Sequence, residues 1–455
     1  MKRYQKSLFI FRRDLRLADN TALNSALAQS RQVILSFIFD PRQIEPHPYQ
    51  SQPALQFMLQ ALRDLQRQIA ERGGLLYLFN DHPERVITRL RNDQNIEAVF
   101  VNRDYTPFSR QRDADLQKHC GTLGLGFHSH GDLLLNEPEQ VLKSDGSPYR
   151  VFTAFYQRAR QNPVASPQGL SPGLFIDTLR IDAGEDLIGR FSRPHNNPLL
   201  GGRSAALALL ENLTAHRDYQ QQRDFPALAA TSHMSAYLKF GCCSIREAYY
   251  AIAQSLGDEH PLLRQLYWRD FFTHIAFHYP HVFDHAFHRR FDAIRWQNDD
   301  DWFSAWTEGR TGFPIVDAGM RELLQTSCMH NRLRMITASF LVKDLHFDWR
   351  WGERYFARHL LDYDPCINNG NWQWAASTGC DAQPYFRIFN PWLQQKKFDA
   401  DCVYIKRWLP ELRLFPATVI HHWHKQTQAC DYPSPIVDHG VQSQHAKALY
   451  RAITP

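Results

Sequence analysis

The sequence lacks the marks of several protein classes. Its 8 cysteines are scattered, with one adjacent pair, Cys242–Cys243, and no CxxC spacing. That excludes the usual structural zinc and four-cysteine iron–sulfur sites and fits reduced thiols in a cytoplasmic protein. No apolar run is long enough to span a membrane. The opening MKRYQKSLFIFRRDLR holds too short an apolar run for a signal peptide. There is no GxGxxG, so the standard dinucleotide fingerprint is missing. The absence of an internal repeat or low-complexity tract excludes solenoids and fibrous chains. His421, His422 and His424 have no carboxylate or cysteine at ligand spacing, so no metal site is expected. Charge of either sign is not in great excess: the net value is +5, which permits a nucleic-acid groove without requiring one.

What is abundant is aromatic: 11 Trp, 18 Tyr and 30 Phe in 455 residues, a length that suits two domains. Residues 1–130 read as α/β. Strand-like runs at Ser7–Phe11, Val33–Phe39, Leu75–Phe79 and Glu97–Val101 are separated by helical segments. In Ala54–Ile69 the apolar residues Leu55, Met58, Leu59, Leu62, Leu65 and Ile69 follow i, i+3, i+4, i+7 spacing. Such alternation predicts a doubly wound, Rossmann-like parallel sheet, with any ligand at the carboxyl ends of its strands. Residues 131–200 hold turn-forming stretches such as SDGSPYR and RPHNNPLLGG and read as an interdomain connection. Residues 201–455 read as a larger all-α domain. Helical periodicity recurs in Ser204–Leu213, Ser244–Leu256, Pro261–His278, Val316–Leu324 and Leu333–Leu345.

Four clusters in the helical part carry candidate chemistry. TSHMS, Thr231–Ser235, is either a helix cap or a pyrophosphate cradle. RQLYWRDFF, Arg264–Phe272, is either amphipathic packing or an aromatic wall, Trp268, with charge from Arg269. In MHNRLRMITASF, Asn331 and Met335 share a helix face while Arg332 and Arg334 turn elsewhere; arginines in so apolar a helix predict a buried pair with Asp362 or Asp364. The last cluster runs LLDYDPCINNGNWQWAASTGCDAQPYF. Its carboxylates suit ribose hydroxyls or a ring N–H, and its amides suit a redox ring edge, so the combination favours a flavin over a metal.

These clusters, with FRRDLRLADNTAL (Phe11–Leu23), GSPYRVFTAF, TGFPIVDAGMREL and YPSPIVDH, together resemble the photolyase/cryptochrome family along nearly the whole chain. The resemblance is closest to class I-type microbial cyclobutane pyrimidine dimer (CPD) DNA photolyases. It implies an N-terminal antenna domain and a helical domain holding FAD in a U shape. It also implies light-driven electron transfer from reduced FAD, which opens the dimer in UV-damaged DNA after the lesion flips out of the duplex. Carried over by position, Tyr219 and Thr231, Ser232, His233, Met234 and Ser235 lie on the phosphate side of FAD. Asp362, Tyr363 and Asp364 lie toward its ribityl and ring parts, with Arg334 paired to Asp362 and Asn368 beside flavin N5. Trp268 and Trp374 correspond to the walls that hold the flipped dimer; Gln265, Arg269, Asn331, Arg332 and Met335 belong to that surface, and Arg223 and Gln394 to DNA contacts. Trp372, Trp349 and Trp296 match the inner, middle and outer tryptophans of the photoreduction chain.

Three departures from the family pattern stand out. Gln265 replaces the glutamate usual in dimer photolyases and loses a charge-assisted hydrogen bond. Photolyases of (6-4) photoproducts often carry Gln there, but they place two histidines where this chain has Asn331 and Met335. Cys328 stands for a usual Trp, and His233 for a usual Arg or Lys. NRDYTPFSRQRD lacks the glutamate of folate-binding relatives; with Asp104 and Lys239 it is similar to the 8-hydroxy-deazaflavin type, and FMN or FAD also suits that site. The rival class is a signalling cryptochrome, for which a C-terminal extension is expected; the sequence reaches Pro455 shortly after the last motif. The expected protein is a cytoplasmic monomer that binds damaged DNA and no membrane.

Overall fold

The computed structural model describes residues 2–179, 186–195, 197–426 and 430–453. They form two compact units that interleave along the chain. The first comprises Met1–Tyr149, Thr153–Ala215 and His233–His278; the second comprises Arg150–Phe152, His216–Ser232 and Tyr279–Pro455.

The first unit is built on a parallel sheet of β1 (Tyr4–Phe11), β2 (Ser30–Ile38), β3 (Leu76–Phe79), β4 (Ala98–Asn102), β5 (Gly126–His130) and the two-residue β6 (Leu174–Phe175). The order is β3-β2-β1-β4-β5, and β6 pairs with the start of β2. Leu8 faces Ile34 on one side and Val99 on the other. Both faces are covered, so β1, β2 and β4 read as nearly continuous apolar runs. The four strand-like runs became β1 to β4. By contrast, β5 escaped notice because GFHSH is polar and half-buried, as an edge strand permits. The crossovers include α1 (Thr21–Gln29), α2 (Gln52–Ala70), α3 (Pro83–Gln94) and α4 (Pro107–Thr122). The chain order reverses between β1 and β4, which opens a crevice at their carboxyl ends. This unit also contains α5 (Pro261–His278), which has the predicted bounds.

The second unit is helical. Its main elements are α6 (Pro314–Thr326), α7 (Asn331–Lys343), α8 (Trp349–His359), α9 (Pro365–Ala375), α10 (Pro391–Phe398) and α11 (His439–Arg451). Two of the quoted motifs prove to be scaffold. In TGFPIVDAG, Asp317 is buried and accepts from Thr311 N (2.8 Å), Thr311 Oγ1 (2.6 Å), Gly312 N (2.9 Å) and Tyr432 Oη (2.5 Å). Tyr432 opens YPSPIVDH, so the two motifs close on each other. Gly312, at φ 77°, must be glycine, because a Cβ there would lie 2.3 Å from Ser434 O. Burial pushes the Asp317 carboxyl up to about 6 in spite of its donors.

The core of this unit centres on Trp306, Trp349, Trp372, Phe340 and Phe356, all at most 2% exposed. The Trp372 indole of α9 lies directly on α8 at Gly352, where a Cβ would meet Trp372 Cη2 at 2.1 Å. The bare glycine makes room for the indole. Among the described residues, no helix is long and apolar enough to cross a membrane.

Candidate functional site

In the helical unit the predicted residues gather on α7, α8 and α9. Arg334 leaves α7 and holds Asp362 with Nη2 at 3.0 and 3.1 Å, while its Nε donates to Met329 O at 2.9 Å. The pair is half-buried, so its charges stay directed without being wholly desolvated. Burial raises the neighbouring Cys328 thiol to about 12, so it stays protonated and adds no charge beside the pair. Asp364 has a different job from Asp362. Its Oδ1 accepts from Cys366 N (3.0 Å) and Ile367 N (3.2 Å) and caps α9, with Pro365 in the first turn.

Asn368 is the next buried polar residue on α9. Its Nδ2 donates to Glu353 O at 3.0 Å and to Glu353 Oε1 at 2.9 Å. With both amide hydrogens aimed at one residue, the amide cannot flip, and Oδ1 is presented on the other side as an acceptor. The neighbouring amides serve the fold. Asn369 and Gln373 donate to Val282 O at 2.8 and 3.0 Å, and Gln373 also accepts from Phe287 N at 2.7 Å. Two positions apart on one helix, Trp372 and Trp374 diverge by about 200°. Trp372 is buried edge-on to Phe356 (4.9 Å) and Trp306 (6.3 Å), whereas Trp374 is half-buried. Trp349 lies in the same core with the Arg350 guanidinium 4.8 Å above it, and Trp296 packs half-buried against that core.

The segment His216–Ser232 belongs to the same unit. Tyr219 is buried under the Arg223 guanidinium, 5.4 Å from its ring. Thr231 and Ser232 are half-buried. Asn331 opens α7 and is exposed, Met335 lies half-buried one turn on, and Gln394 is half-buried on α10. Arg332 instead meets Asp224 at 2.6 Å.

In the sheet unit, Met234 and Ser235 begin the short helix Met234–Lys239, whose cap is His233 at φ 52° with no side-chain cap bond. The cap position thus falls on His233 and not on one of the TSHMS hydroxyls. On α5, Trp268 stacks on Phe272 (5.5 Å, 29°) and meets Phe271 edge-on at 5.7 Å. Gln265 donates only weakly to Pro261 O, at 3.4 Å. Arg269 donates to Leu133 O, which ties α5 to the chain after β5. At the crevice between β1 and β4, Arg13 Nη1 donates to Asp104 Oδ1 at 3.0 Å, and its Nε donates to Lys239 O at 3.2 Å. Asp104 and Lys239, far apart in sequence, are thus joined through one arginine.

These residues suit a flavin: a fixed amide acceptor and a buried indole on α9 and a half-buried Arg–carboxylate pair between α7 and the link before α9 belong to one helical unit. The fold and this donor set define a flavin-dependent class. The model for the FAD binding domain of DNA photolyase matches residues 262–452, and the DNA photolyase model matches residues 7–169. A deoxyribodipyrimidine photo-lyase of Synechococcus is 40% identical over 98% of this chain and 96% of its own. The solved archaeal photolyase of Sulfolobus tokodaii, described with two FAD molecules, is 43% identical with a TM-score of 0.90, covering 98% of this chain and 100% of that one. A Synechocystis cryptochrome is 28% identical with a TM-score of 0.89, covering 99% of this chain and all of that one. The chain belongs to the DNA photolyase family and carries its FAD-binding domain.

Sequence reasoning missed Glu353, Arg13 and Trp306. Glu353 carried a signal, since it stands one helical turn from Trp349 in WRWGERYF, where a lone carboxylate falls on the apolar face. Arg13 sat inside a quoted motif, but its partners Asp104 and Lys239 lie far along the chain. Trp306 had no motif around it.

Proposed function

We propose that this chain is a deoxyribodipyrimidine photo-lyase, which splits cyclobutane pyrimidine dimers in UV-damaged DNA under blue light. The observation that carries the reading is 40% identity to an enzyme of that name over 98% of the chain. FAD, when bound and reduced, supplies the light-driven electron. The protein's part is to bind, orient and exclude water. Asn368, oriented by Glu353, would hold the ring edge at N5. Arg334 with Asp362, and Tyr363 with Asp364, lie toward the ring and ribityl parts. Tyr219 and Thr231–Ser235 hold the phosphate side. In the sheet unit Trp268 offers an aromatic face to a flipped base, with Gln265 for its polar edge and Arg269 for charge; in the helical unit Trp374, Asn331 and Met335 serve the base, and Arg223 and Gln394 the DNA strand. Trp296, Trp349 and Trp372 pass electrons inward to restore the reduced state. Residues 1–130 form the antenna domain, 131–200 the connection and 201–455 the FAD- and DNA-binding domain. The protein works as a cytoplasmic monomer. Its antenna site is the crevice where Arg13 joins Asp104 to Lys239. That site suits an 8-hydroxy-deazaflavin, or a second flavin such as the Sulfolobus tokodaii enzyme is described with.

Gln265 favours a second reading, repair of (6-4) photoproducts, and the likeness to a cryptochrome favours signalling without repair. One assay separates the three. Protein loaded with FAD and photoreduced is mixed with oligonucleotides carrying either lesion and lit with blue light. Restored thymines from the cyclobutane dimer alone are expected. Restoration of only the (6-4) lesion gives the site to the second reading, and restoration of neither gives it to signalling. Trp372→Phe in the same preparation tests the relay: flavin photoreduction slows, while repair by chemically reduced enzyme stays.

A further inference from the structure

The segment His216–Ser232 carries Tyr219, Arg223, Thr231 and Ser232, yet it has little structure of its own. Tyr219–Gln222 and Pro226–Leu228 are single turns, and Phe225 and Leu228 are exposed. A segment so loosely built cannot hold binding groups to the precision a cofactor needs unless neighbours lock it. The lock is visible at its middle. Arg332 Nη2 reaches Asp224 Oδ1 at 2.6 Å. The same guanidinium lies over the ring of Phe398, 4.3 Å from its centroid. Phe225 meets Phe398 edge-on at 6.0 Å, and Arg407 donates to Ala227 O at 3.5 Å. Arg223 is a weaker competitor for Asp224, with its Nε at 3.9 Å. Two residues further along α7, Arg334 grips Asp362. One turn of one helix therefore ties both the loose segment and the carboxylate before α9.

We propose that Arg332 is a positioning residue for the cofactor. Its ion pair with Asp224, seated on Phe398, fixes the segment that holds the phosphate side of FAD and so sets how long FAD stays bound. This departs from the sequence-based place of Arg332 on the lesion surface, and it rests on the FAD reading above. A partly exposed ion pair alone has modest energy, but stacking pre-aligns this guanidinium, so the pair forms with less entropy lost. Lysine cannot do both, because a point charge on a flexible stem neither stacks flat nor forks.

The test follows FAD release after dilution by the rise in flavin fluorescence, beside the melting temperature of the apoprotein. Arg332→Ala and Asp224→Asn are both expected to release FAD about tenfold faster, a change on the order of 1.4 kcal/mol. Arg332→Lys should fall between them and the parent, and Asp224→Glu, which keeps the carboxylate, should restore slow release. The apoprotein melting temperature should stay unchanged, which a merely structural role would not allow. Parent-like release from both Arg332→Ala and Asp224→Asn would overturn the proposal. So would faster release from Arg332→Ala alone, or a loss of DNA affinity in that variant with FAD release unchanged. A parent protein that binds no FAD would instead overturn the cofactor reading, and this proposal with it.

Discussion

Glu353 gives Asn368 a fixed orientation from a second helix. Asn371 on the same helix, α9, turns its amide back to Ile367 O at 2.8 Å, whereas Asn368 finds its side-chain partners across on α8. The Glu353 carbonyl and carboxylate, 15 residues upstream, set its direction. Glu353 is 4% exposed, so the arrangement is shielded from water that would compete for the amide. Glu353→Leu is expected to leave one amide hydrogen without its acceptor and let the side chain turn. The photoreduced flavin should then reoxidise in air about tenfold faster, since losing one directed hydrogen bond in a buried site costs about 1–2 kcal/mol. Glu353→Gln keeps an acceptor and should lie near the parent. Equal reoxidation rates in all three would show that the amide needs no such support. The legibility of the site follows from the same contrast. Asn368 was readable because it stands in a dense local motif. Glu353 was not, because its role exists only once two helices pack, and Arg332 changed partners for the same reason: Asp224 lies 108 positions away in sequence.

Elements were legible where apolar residues recur over several turns, whether one face is buried, as in α2, or nearly the whole circumference, as in α5. The periodic runs became helices within a few residues of their expected ends, as for α2, α5 and α7. A polar edge strand such as β5 offers no such repeat. Nor did sequence hint at what α7 meets at its far end. Lys343 there is 1% exposed, donates to Ser377 Oγ at 3.0 Å and lies 3.7 Å from the ring centroid of Tyr450 on α11. Around it, α11 also brings His439 to Asp344 (2.5 Å), Gln442 to His346 (2.7 Å) and His445 against the His346 ring (4.4 Å). Burial pulls the Lys343 amine well below the usual lysine value, pushes Asp344 up to about 6 and His346 down to about 4. The sign for Lys343 is clear. Between its depressed folded value and the ordinary 10.5 the unfolded chain binds the extra proton, so stability is greatest above that window and is lost as pH falls through it. His346 adds a slope of the same sign between about 4 and its ordinary 6.5, and Asp344 one of opposite sign between 3.8 and about 6; both groups remain in a Lys343 variant, so they cancel in the comparison. Lys343→Met keeps the length and drops the charge. Its melting temperature is expected to rise by roughly 2–4 °C near pH 7, as about 1 kcal/mol of desolvation cost is removed, with the gain shrinking toward pH 9. A variant that melts lower at both pH values would mean that the Ser377 hydrogen bond outweighs the buried amine.

At the scale of the whole chain, the resemblance was visible from Phe11 to His439, and the architecture followed from it and from the βα alternation. What stayed hidden was how distant positions in each unit converge. In the sheet unit the convergence point is the crevice where chain order reverses, the usual ligand position of such sheets. Arg12 and Arg13 leave β1 there, and Asp104 follows β4. Arg12 turns inward to Asp113 at 2.7 Å, and burial beside Arg112 lowers it to about 10, so it serves the interior. Arg13 turns the other way and spans Asp104 and Lys239. Asp104 is further held by Tyr105 N at 2.8 Å and Ser109 Oγ at 3.2 Å, so it keeps its place without Arg13, while Leu15 N donates to Phe240 O at 3.0 Å and keeps the end of the Lys239 helix close. Arg13→Ala should therefore leave the fold and the flavin site intact while loosening the crevice. The expected result has two parts. Protein reconstituted with 8-hydroxy-deazaflavin or FMN should retain about tenfold less of the second chromophore, as lost charge-assisted hydrogen bonds imply. Dimer repair per absorbed photon should be unchanged under light absorbed by FAD and should fall to that FAD-only level at the wavelengths the second chromophore absorbs. Full chromophore retention with the parent action spectrum would move the antenna away from this crevice, and loss of repair at every wavelength would make Arg13 a folding residue.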